Sequence, residues 1–293
     1  MNFVTSYREV CDSRSFEPRN LARAIAIRAM AVKDYLLQAE EHLKKPRIQF
    51  LYFHHLFKDE EQNFKKTLTF LAKAHEFISY SEAIQKILTN TIDKPYIVFS
   101  SDDGLKNNLR AAAILEEYGA VACFFINPSI IGERSYQKIE GFCKERLIFP
   151  TVDFMDWKDV EFLLKQGHEI GSHTMNHINI AEEPIERVRE ELLESKEMIT
   201  KKIGEVMHFA YPYGRFFHFN EQARKLCFEL GYQTVASAER GSHVNGPREI
   251  TLQELCIRRD QVIFGWDMHE INFFLVQSAR KACFDNSFFP YSR

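Results

Sequence analysis

The sequence predicts an α/β fold in which parallel strands alternate with helices. Short apolar runs of strand length recur along the chain, and amphipathic segments of helix length separate them. Glycine or proline stands where several of these segments begin or end. Repeated β-α units place their strands parallel and side by side, so the sheet either closes into a barrel or stays open and doubly wound. The pattern alone leaves both arrangements open.

Length, composition and charge limit the class of protein. The chain has 293 residues, of which 45% are hydrophobic, and this is enough for one catalytic domain with a full core. The net charge of −3, with both signs interspersed, is unlike a nucleic-acid-binding surface, so no nucleic-acid partner is expected. The six cysteines form no C-x-x-C pair, and we expect them to be reduced. Neither a signal-peptide pattern nor a membrane-spanning apolar run is found, which predicts a cytoplasmic protein without a membrane span.

The predicted elements follow in chain order. Residues 1–46 form an N-terminal helical extension, in which an amphipathic pattern from Asn20 through Glu41 predicts one helix packed on the main domain. Residues 47–293 form the catalytic domain, and residues 127–156 and 239–293 within it are less regular and are predicted as loops. The predicted strands are Ile48–Phe53, Tyr96–Ser100, Val121–Ile126, His168–Ser172, Met207–Tyr211 and Tyr232–Ser237. The predicted helices are Glu61–Lys73, Asn108–Tyr118, Trp157–Lys165, Pro184–Ile203 and Asn220–Leu230, with Asn107 or Asn108 and Asp156 as N-caps.

Two adjacent carboxylates, Asp102 and Asp103, follow the apolar strand Tyr96–Ser100. Neighbouring carboxylates repel, which raises the pKa of one of them unless a cation or hydrogen-bond donors compensate. In an extended segment successive side chains point apart, so one aspartate can bind a metal while the other faces substrate or water. An isolated Asp-Asp-Gly is more commonly a solvated turn with a helix cap. The sequence nevertheless puts this pair at the carboxyl end of a strand, where such folds place their chemistry.

Two histidines four residues apart, His173 and His177, come directly after the strand His168–Ser172. At this spacing they can fall on one face of a helical turn and present both imidazoles to one ion. The spacing alone is more often coincidental, but the predicted fold puts the pair on the same rim as Asp103. Two histidines and one carboxylate, with a position open for water, match the ligand set of catalytic zinc.

A third segment, Ala210-Tyr211-Pro212-Tyr213-Gly214, also follows a predicted strand. Together the three segments resemble motifs of the polysaccharide deacetylase family, also called the NodB homology or carbohydrate esterase family 4 group. Ser100 to Gly104 is similar to its T-F-D-D-G motif, His173 to His177 to its H-S/T-x-x-H motif, and Ala210 to Gly214 to its R-x-P-Y-G motif. The resemblance covers roughly residues 47–260 and implies a distorted (β/α) barrel.

The resemblance also implies roles for individual residues. Asp102 would be the general base. Asp103, His173 and His177 would hold one divalent metal ion, for which zinc is the first choice and cobalt and nickel are alternatives. A backbone N–H near Tyr213 would stabilise the oxyanion. We expect His54, Tyr211, Pro212 and Arg258 to contact substrate.

Two functional residues of the family lack an obvious counterpart. The arginine of the third motif, which orients the base, is replaced by Ala210, and Arg215, Arg258 or Arg259 are the candidates to substitute for it. The general-acid histidine of the family is not assigned, and the candidates are His54, His243 and His269.

The function that these expectations support is removal of an N-acetyl group from an acetylated sugar or glycan. Two alternatives remain open. The same site could hydrolyse a non-sugar amide or an O-acetyl ester, since the chemistry acts on the carbonyl. The chain could also be a catalytically silent sugar-binding protein on the same fold, because the arginine of the third motif is missing and the general-acid histidine is not assigned.

Overall fold

Apolar strands of a parallel sheet form the centre of the molecule. In this computed structural model the described residues are 2–13, 25–33 and 39–283. All seven residues of the first strand and all five of the fourth are buried, as expected for strands covered on both faces. The strands are β1 Arg47–Phe53, β2 Glu76–Phe77, β3 Pro95–Ser101, β4 Ala122–Ile126, β5 Glu169–Ser172, β6 His208–Ala210, β7 Thr234–Ala236, β8 Ser242–His243, β9 Cys256–Ile257, β10 Arg259–Gln261 and β11 Ala282–Cys283.

The sheet curls until its last parallel segment meets its first strand. The strand order is β11-β8-β1-β3-β4-β5-β6-β7-β9, with β2 beside β3. β9 pairs with β7, and after a single residue, Arg258, β10 pairs in parallel with β1, so that Arg259 lies opposite Phe50. The result is a distorted (β/α) barrel, as the family resemblance implied. This closure excludes the open doubly wound alternative.

Helices cover the outside of the barrel and one of its ends. They are α1 Tyr7–Asp12, α2 at residues 25–33, α3 Glu61–Leu71, α4 Tyr80–Leu88, α5 Asn108–Glu117, α6 Tyr136–Phe142, α7 Trp157–Lys165, α8 Ile185–Ile203, α9 Glu221–Glu229 and α10 Met268–Arg280. Tyr80, Ala83 and Ile84 of α4 share one apolar cluster with inward-facing strand residues such as Val98 and Phe125. The backbone N–H of Ser81, at the start of α4, bonds the Glu169 carboxylate at the amino end of β5. α4 therefore closes the amino end of the barrel and leaves the carboxyl end for the site.

Most predicted β-α elements are confirmed to within a few residues, and α7 agrees at both ends. Asp156 caps α7 as expected, since its side chain accepts hydrogen bonds from the backbone N–H groups of Lys158 and Asp159. Asn107 stands at the N-cap of α5 as expected, but its side chain makes no capping hydrogen bond. The Asn108 side chain instead donates to the His54 carbonyl oxygen and to Ser101 Oγ, which ties the ends of β1 and β3 together.

The ends of the chain differ most from the prediction. Residues 25–33 are helical, but Ala39–Lys44 is a 3-10 helix and not the end of one long α-helix. The parts of the predicted helix at 20–24 and 34–38 lie outside the described residues. The segment predicted as irregular, 239–293, contains α10 and the strand pair that closes the barrel. Within the described residues, no helix is both long enough and apolar enough to cross a membrane.

Candidate active site

The carboxyl ends of the strands open into one cavity of about 1110 Å³. The sequence placed three motifs at this rim, and all three contribute to it. The residues of those motifs that line the cavity are Asp102, Asp103, His173, His177, Tyr211, Tyr213 and Gly214. His54, which follows β1, lines it too. The expectation that strand ends share one face is therefore confirmed.

A buried cluster of Asp103, His173 and His177 lies on the floor of this cavity. Asp103 Oδ1 is 3.6 Å from His173 Nε2 and 3.4 Å from His177 Nε2. Oδ1 has no hydrogen-bond partner among the described residues, although it is inaccessible to solvent. A buried carboxylate oxygen without a partner is costly, and a cation between these three donor atoms would remove that cost. Tetrahedral bonds of about 2.0–2.1 Å would separate neighbouring donors by roughly the distances observed.

Left-handed backbone conformations bring these donors together. Asp103 has φ 73°, Thr174 has φ 63° and His177 has φ 53°. Such conformations cost about 1–3 kcal/mol for a non-glycine residue and concentrate at functional sites. The two imidazoles meet with ring centroids 5.0 Å apart, although residues 173–177 do not form the helical turn that the spacing suggested. Hydrogen bonds from the buried Asn127 side chain to the carbonyl oxygens of His173 and Thr174 hold this loop.

The protonation states of the cluster suit metal binding. His173 Nδ1 lies 2.7 Å from the Ala210 carbonyl oxygen, which fixes the proton on Nδ1 and leaves Nε2 to face Asp103. Burial lowers the pKa of both His173 and His177, so the imidazoles stay neutral. Burial also raises the pKa of Asp103 to about 6, and nearby Asp102 adds to this effect, whereas His54 opposes it.

Asp102 forms a buried bidentate ion pair with Arg259. Arg259 Nη1 is 2.7 Å from Asp102 Oδ1, and Nη2 is 2.9 Å from Oδ2. Arg259 Nε donates to the Ser237 carbonyl oxygen at 2.9 Å, and the guanidinium lies over the ring of Tyr52. Arg259 comes from β10, so the strand that closes the barrel supplies the counter-ion. Of the three arginines proposed from sequence, Arg259 is the one in contact with Asp102.

The two adjacent aspartates differ in charge because their partners differ. Burial on its own would raise the pKa of Asp102, but the charge and hydrogen bonds of Arg259 lower it to about 2. Asp102 is therefore ionised at every physiological pH. Asp103 has no such arginine partner among the described residues, and a bound cation would compensate its charge.

His54 is the general-acid candidate that the structure places at the site. Burial lowers its pKa, while the nearby charges of Asp103 and Asp102 raise it. His243 is fully buried on β8 and accepts a hydrogen bond from the backbone N–H of Arg258. Neither His243 nor His269 is part of the cavity lining.

Two of the four residues expected to contact substrate lie outside the cavity lining. One is Arg258, whose guanidinium lies 5.2 Å from the centroid of the Phe216 ring at the break between β9 and β10. Pro212 is buried and also lies outside the lining. Tyr211 is stacked on Phe219 and largely buried, whereas Tyr213 is 38% exposed beside His177.

A histidine that was not predicted from the sequence, His55, lines the same cavity and is held by a carboxylate. His55 Nδ1 is 2.9 Å from Glu60 Oε2, and the same oxygen accepts from the backbone N–H of Phe57. The His55 ring stacks on Phe149, with centroids 5.6 Å apart. The adjacent pair His54-His55 at a strand end was the available signal.

The outer wall of the cavity comes from the two ends of the chain. Tyr7, Cys11 and Asp12 of α1 and Ile27 of α2 line it, together with residues of the segment 262–274. The backbone N–H groups of Tyr7 and Arg8 bond the Asp59 carboxylate, and the Tyr7 ring covers Gly265 so closely that a Cβ there would lie 2.0 Å from it. The N-terminal extension is therefore docked on the rim of the site.

Comparison with known proteins agrees with this geometry. Residues 89–235, half of the chain, match the sequence pattern of the polysaccharide deacetylase family. A peptidoglycan-N-acetylglucosamine deacetylase of Bacillus cereus is 38% identical over 76 residues, which is 26% of this chain and 34% of that protein. The match thus spans about a third of the length of this curated relative.

Solved structures show the same fold. The Streptococcus pyogenes deacetylase PplD in complex with acetate superposes with a TM-score of 0.59 at 18% identity, covering 80% of this chain and 98% of that chain. IcaB from Ammonifex degensii gives 0.59 at 16% identity, covering 81% and 98%. A de-N-acetylase from Aggregatibacter actinomycetemcomitans gives 0.61 at 18% identity, covering 78% and 99%.

Proposed function

This chain belongs to the polysaccharide deacetylase family, and we propose that it hydrolyses the N-acetyl group of an acetylated amino sugar or glycan. Acetate and a free amine would be the products. The observation that carries the proposal is that a candidate cation site and an ionised aspartate lie side by side in one cavity. Asp103, His173 and His177 converge on a space suited to a cation, and Asp102 is held beside them by Arg259.

Asp103, His173 and His177 would hold one divalent metal ion in this proposal. Zinc suits one carboxylate and two neutral imidazoles, and cobalt and nickel accept the same ligands. The ion would polarise the acetyl carbonyl and lower the pKa of a water molecule. The three side chains are buried and need no rearrangement to converge.

Asp102 would accept the proton of the attacking water. Arg259 occupies one lone pair on each carboxylate oxygen, and each oxygen keeps a second one. A pKa of about 2 makes Asp102 a weak base, but it guarantees that the group is unprotonated, and the bidentate pair fixes its direction. Arg259 is thus proposed as a positioning residue that takes the part of the arginine missing at Ala210.

His54 and the turn at Tyr213 would complete the reaction. His54 lines the cavity with both aspartates and is proposed to protonate the departing amine. The backbone N–H near Tyr213, in a turn where Tyr213 has φ 61° and Gly214 has φ 67°, is proposed to stabilise the oxyanion. Gly214 suits this turn, because a Cβ there would lie 2.7 Å from the Ala238 backbone nitrogen.

The alternatives carry different weight. A non-sugar amide or an O-acetyl ester would use the same groups, since they act on the carbonyl, so these substrates belong in the test. The catalytically silent alternative depended on the missing arginine and on the unassigned general acid. The Arg259–Asp102 ion pair weakens the first of these two grounds.

The test is acetate release by purified protein reloaded in turn with zinc, cobalt and nickel. We expect turnover of N-acetylglucosamine oligomers that exceeds turnover of an aryl acetate and of a simple acetamide. Asp102→Asn should keep the bound metal and lose about 10²–10⁴-fold in kcat. If the protein binds none of the metals and hydrolyses none of the substrates, the proposal fails. If Asp102→Asn loses the metal, the assignment of its role fails.

A further inference from the structure

The cavity has a second, apolar region away from its charged floor. Ile27, Ile263, Trp266 and Phe274 all line it. The rings of Trp266 and Phe274 are 5.1 Å apart, and both residues are only partly buried. Apolar surface inside a cavity is typical of a binding site for an apolar group.

This apolar region is physically continuous with the reaction centre. Arg259 and Gln261 are the first and last residues of β10, and Gln261 Nε2 lies 3.5 Å from His54 Nδ1. The carbonyl oxygen of Gln261 accepts a hydrogen bond from Arg240, whose guanidinium lies 4.2 Å from the Phe274 ring centroid. A chain of direct contacts thus runs from the side chain that holds Asp102 to the aromatic pair.

Three polar groups near the aromatic pair make bonds within the protein, and the first is Arg240, which donates to the Gln261 carbonyl oxygen. Glu270 accepts from the backbone N–H of Asp267 in the capping box of α10. Asp267 caps the same helix and pairs with Arg28 at 2.8 Å. Sugar hydroxyls require hydrogen-bond partners, whereas a hydrocarbon or aryl group does not. The composition of this region therefore favours an apolar occupant over a second sugar ring.

The N-terminal extension completes the apolar region. Arg28 and Asp267 directly follow Ile27 and Trp266 in sequence, so their ion pair holds the two segments side by side. Ile27 is 5% exposed, which shows that it is packed against the body of the protein. Tyr7 packs on Gly265, the residue before Trp266.

We propose that Ile27, Trp266 and Phe274 form a subsite for an apolar aglycone, an alkyl or aryl group attached to the acetylated sugar. This inference rests on the proposed function, because it supposes that the acetamido sugar occupies the floor. The substrate is then an amphipathic glycoside and not a bare monosaccharide.

The test compares two ligands that differ only in the length of an alkyl chain, the methyl and hexyl glycosides of N-acetylglucosamine. Binding is measured by titration calorimetry and acetate release is measured separately. We expect the hexyl glycoside to bind at least about tenfold more tightly to the wild type, since each buried methylene contributes to affinity. Trp266→Ala should abolish most of this preference and leave binding of the methyl glycoside unchanged. Ile27→Ala should reduce the preference by a smaller factor.

Phe162→Ala is the matched control, because Phe162 is an aromatic residue on α7 that is 52% exposed and lies outside the cavity lining. It should keep the full preference. Equal binding of the two glycosides to the wild type overturns the proposal. So does an equal loss for both glycosides in Trp266→Ala, which would make Trp266 a platform for the sugar ring. If the preference holds but neither glycoside releases acetate, the subsite stands and the proposed deacetylation fails.

Discussion

The floor and the outer wall of the cavity are built in different ways. The floor consists of strand ends, and its side chains are buried, with Asp102 held by Arg259 and His173 by the Ala210 carbonyl oxygen. The wall consists of α1, α2 and the segment 262–274, and partly exposed contacts hold it. Under the proposed function, the floor would hold the reacting groups and the wall would contact the rest of the substrate, so changes in the wall should leave the metal ligands in place.

The largest expected effect is on the floor. His173→Ala removes one of three proposed metal ligands, so bound metal should fall below one ion per chain and acetate release should drop by about three orders of magnitude or more. Metal analysis and kinetic assays measure both. His168→Ala is the control, since His168 is a buried histidine at the amino end of the sheet. Equal metal loss in both variants would show that the effect is not local to the floor.

Arg259→Met should give the next largest effect, on stability. Removing one partner of a buried ion pair costs about 3–5 kcal/mol in the free energy of unfolding. Folding lowers the pKa of Asp102 from 3.8 to about 2. The ion pair therefore stabilises the folded state fully at pH values above 3.8, the pKa in the unfolded chain, and this stabilisation is lost as the pH falls towards the folded-state pKa of about 2. The difference in unfolding free energy between the wild type and the variant should therefore be largest near pH 7 and become smaller as the pH is lowered towards 3.

Urea unfolding of the wild type and of Arg259→Met at several pH values checks this. Adding Asp102→Asn to the variant should recover part of the loss, because the uncompensated charge is gone. A deficit that is independent of pH would contradict the ion pair as its cause.

A smaller effect is expected when the wall alone is disturbed. In Gly265→Val the new Cβ would overlap the Tyr7 ring, so α1 should leave its position on the rim. We expect a loss of about 1 kcal/mol in unfolding free energy, with metal content and kcat for a small substrate unchanged and KM altered. A fall in kcat equal to that of a floor variant would show that the two regions are not separable.

Arg28→Ala should give the smallest effect. Its ion pair with Asp267 is solvent-exposed, with Arg28 66% exposed, and such pairs contribute about 0–1 kcal/mol. The midpoint of thermal unfolding should change by at most a few degrees, and raising the salt concentration should erase the difference. A large loss of stability would mean that this ion pair contributes far more to docking α2 than its exposure suggests.

The sequence predicted the floor far better than the wall. Strand-end motifs such as Asp102-Asp103 and His173 to His177 are local, and periodicity placed each of the six predicted strands to within a few residues. The arginine at position 259 was one of three candidates because its partner is 157 residues away, and no local pattern encodes that pairing. The docking of α1 depends on contacts with Asp59 and Gly265 that are likewise distant in sequence.

The irregular appearance of residues 239–293 had a physical origin too. β9 and β10 are two and three residues long and change pairing partner at Arg258, so neither shows the alternation or the length by which a strand is recognised. α4 was missed although its signal was present, because Tyr80, Ala83, Ile84 and Ile87 recur at helical spacing and Ser79 caps the helix.

The position of Arg259 also has a consequence for biosynthesis. A chain emerges from the ribosome with its N-terminal part first. Asp102 is then present long before its counter-ion, and the barrel cannot bury that carboxylate at low cost until β10 has been made. The early intermediate should keep its last seam open and Asp102 hydrated. We therefore expect completion of the polypeptide, burial of Asp102 and closure of the barrel to occur as one cooperative event.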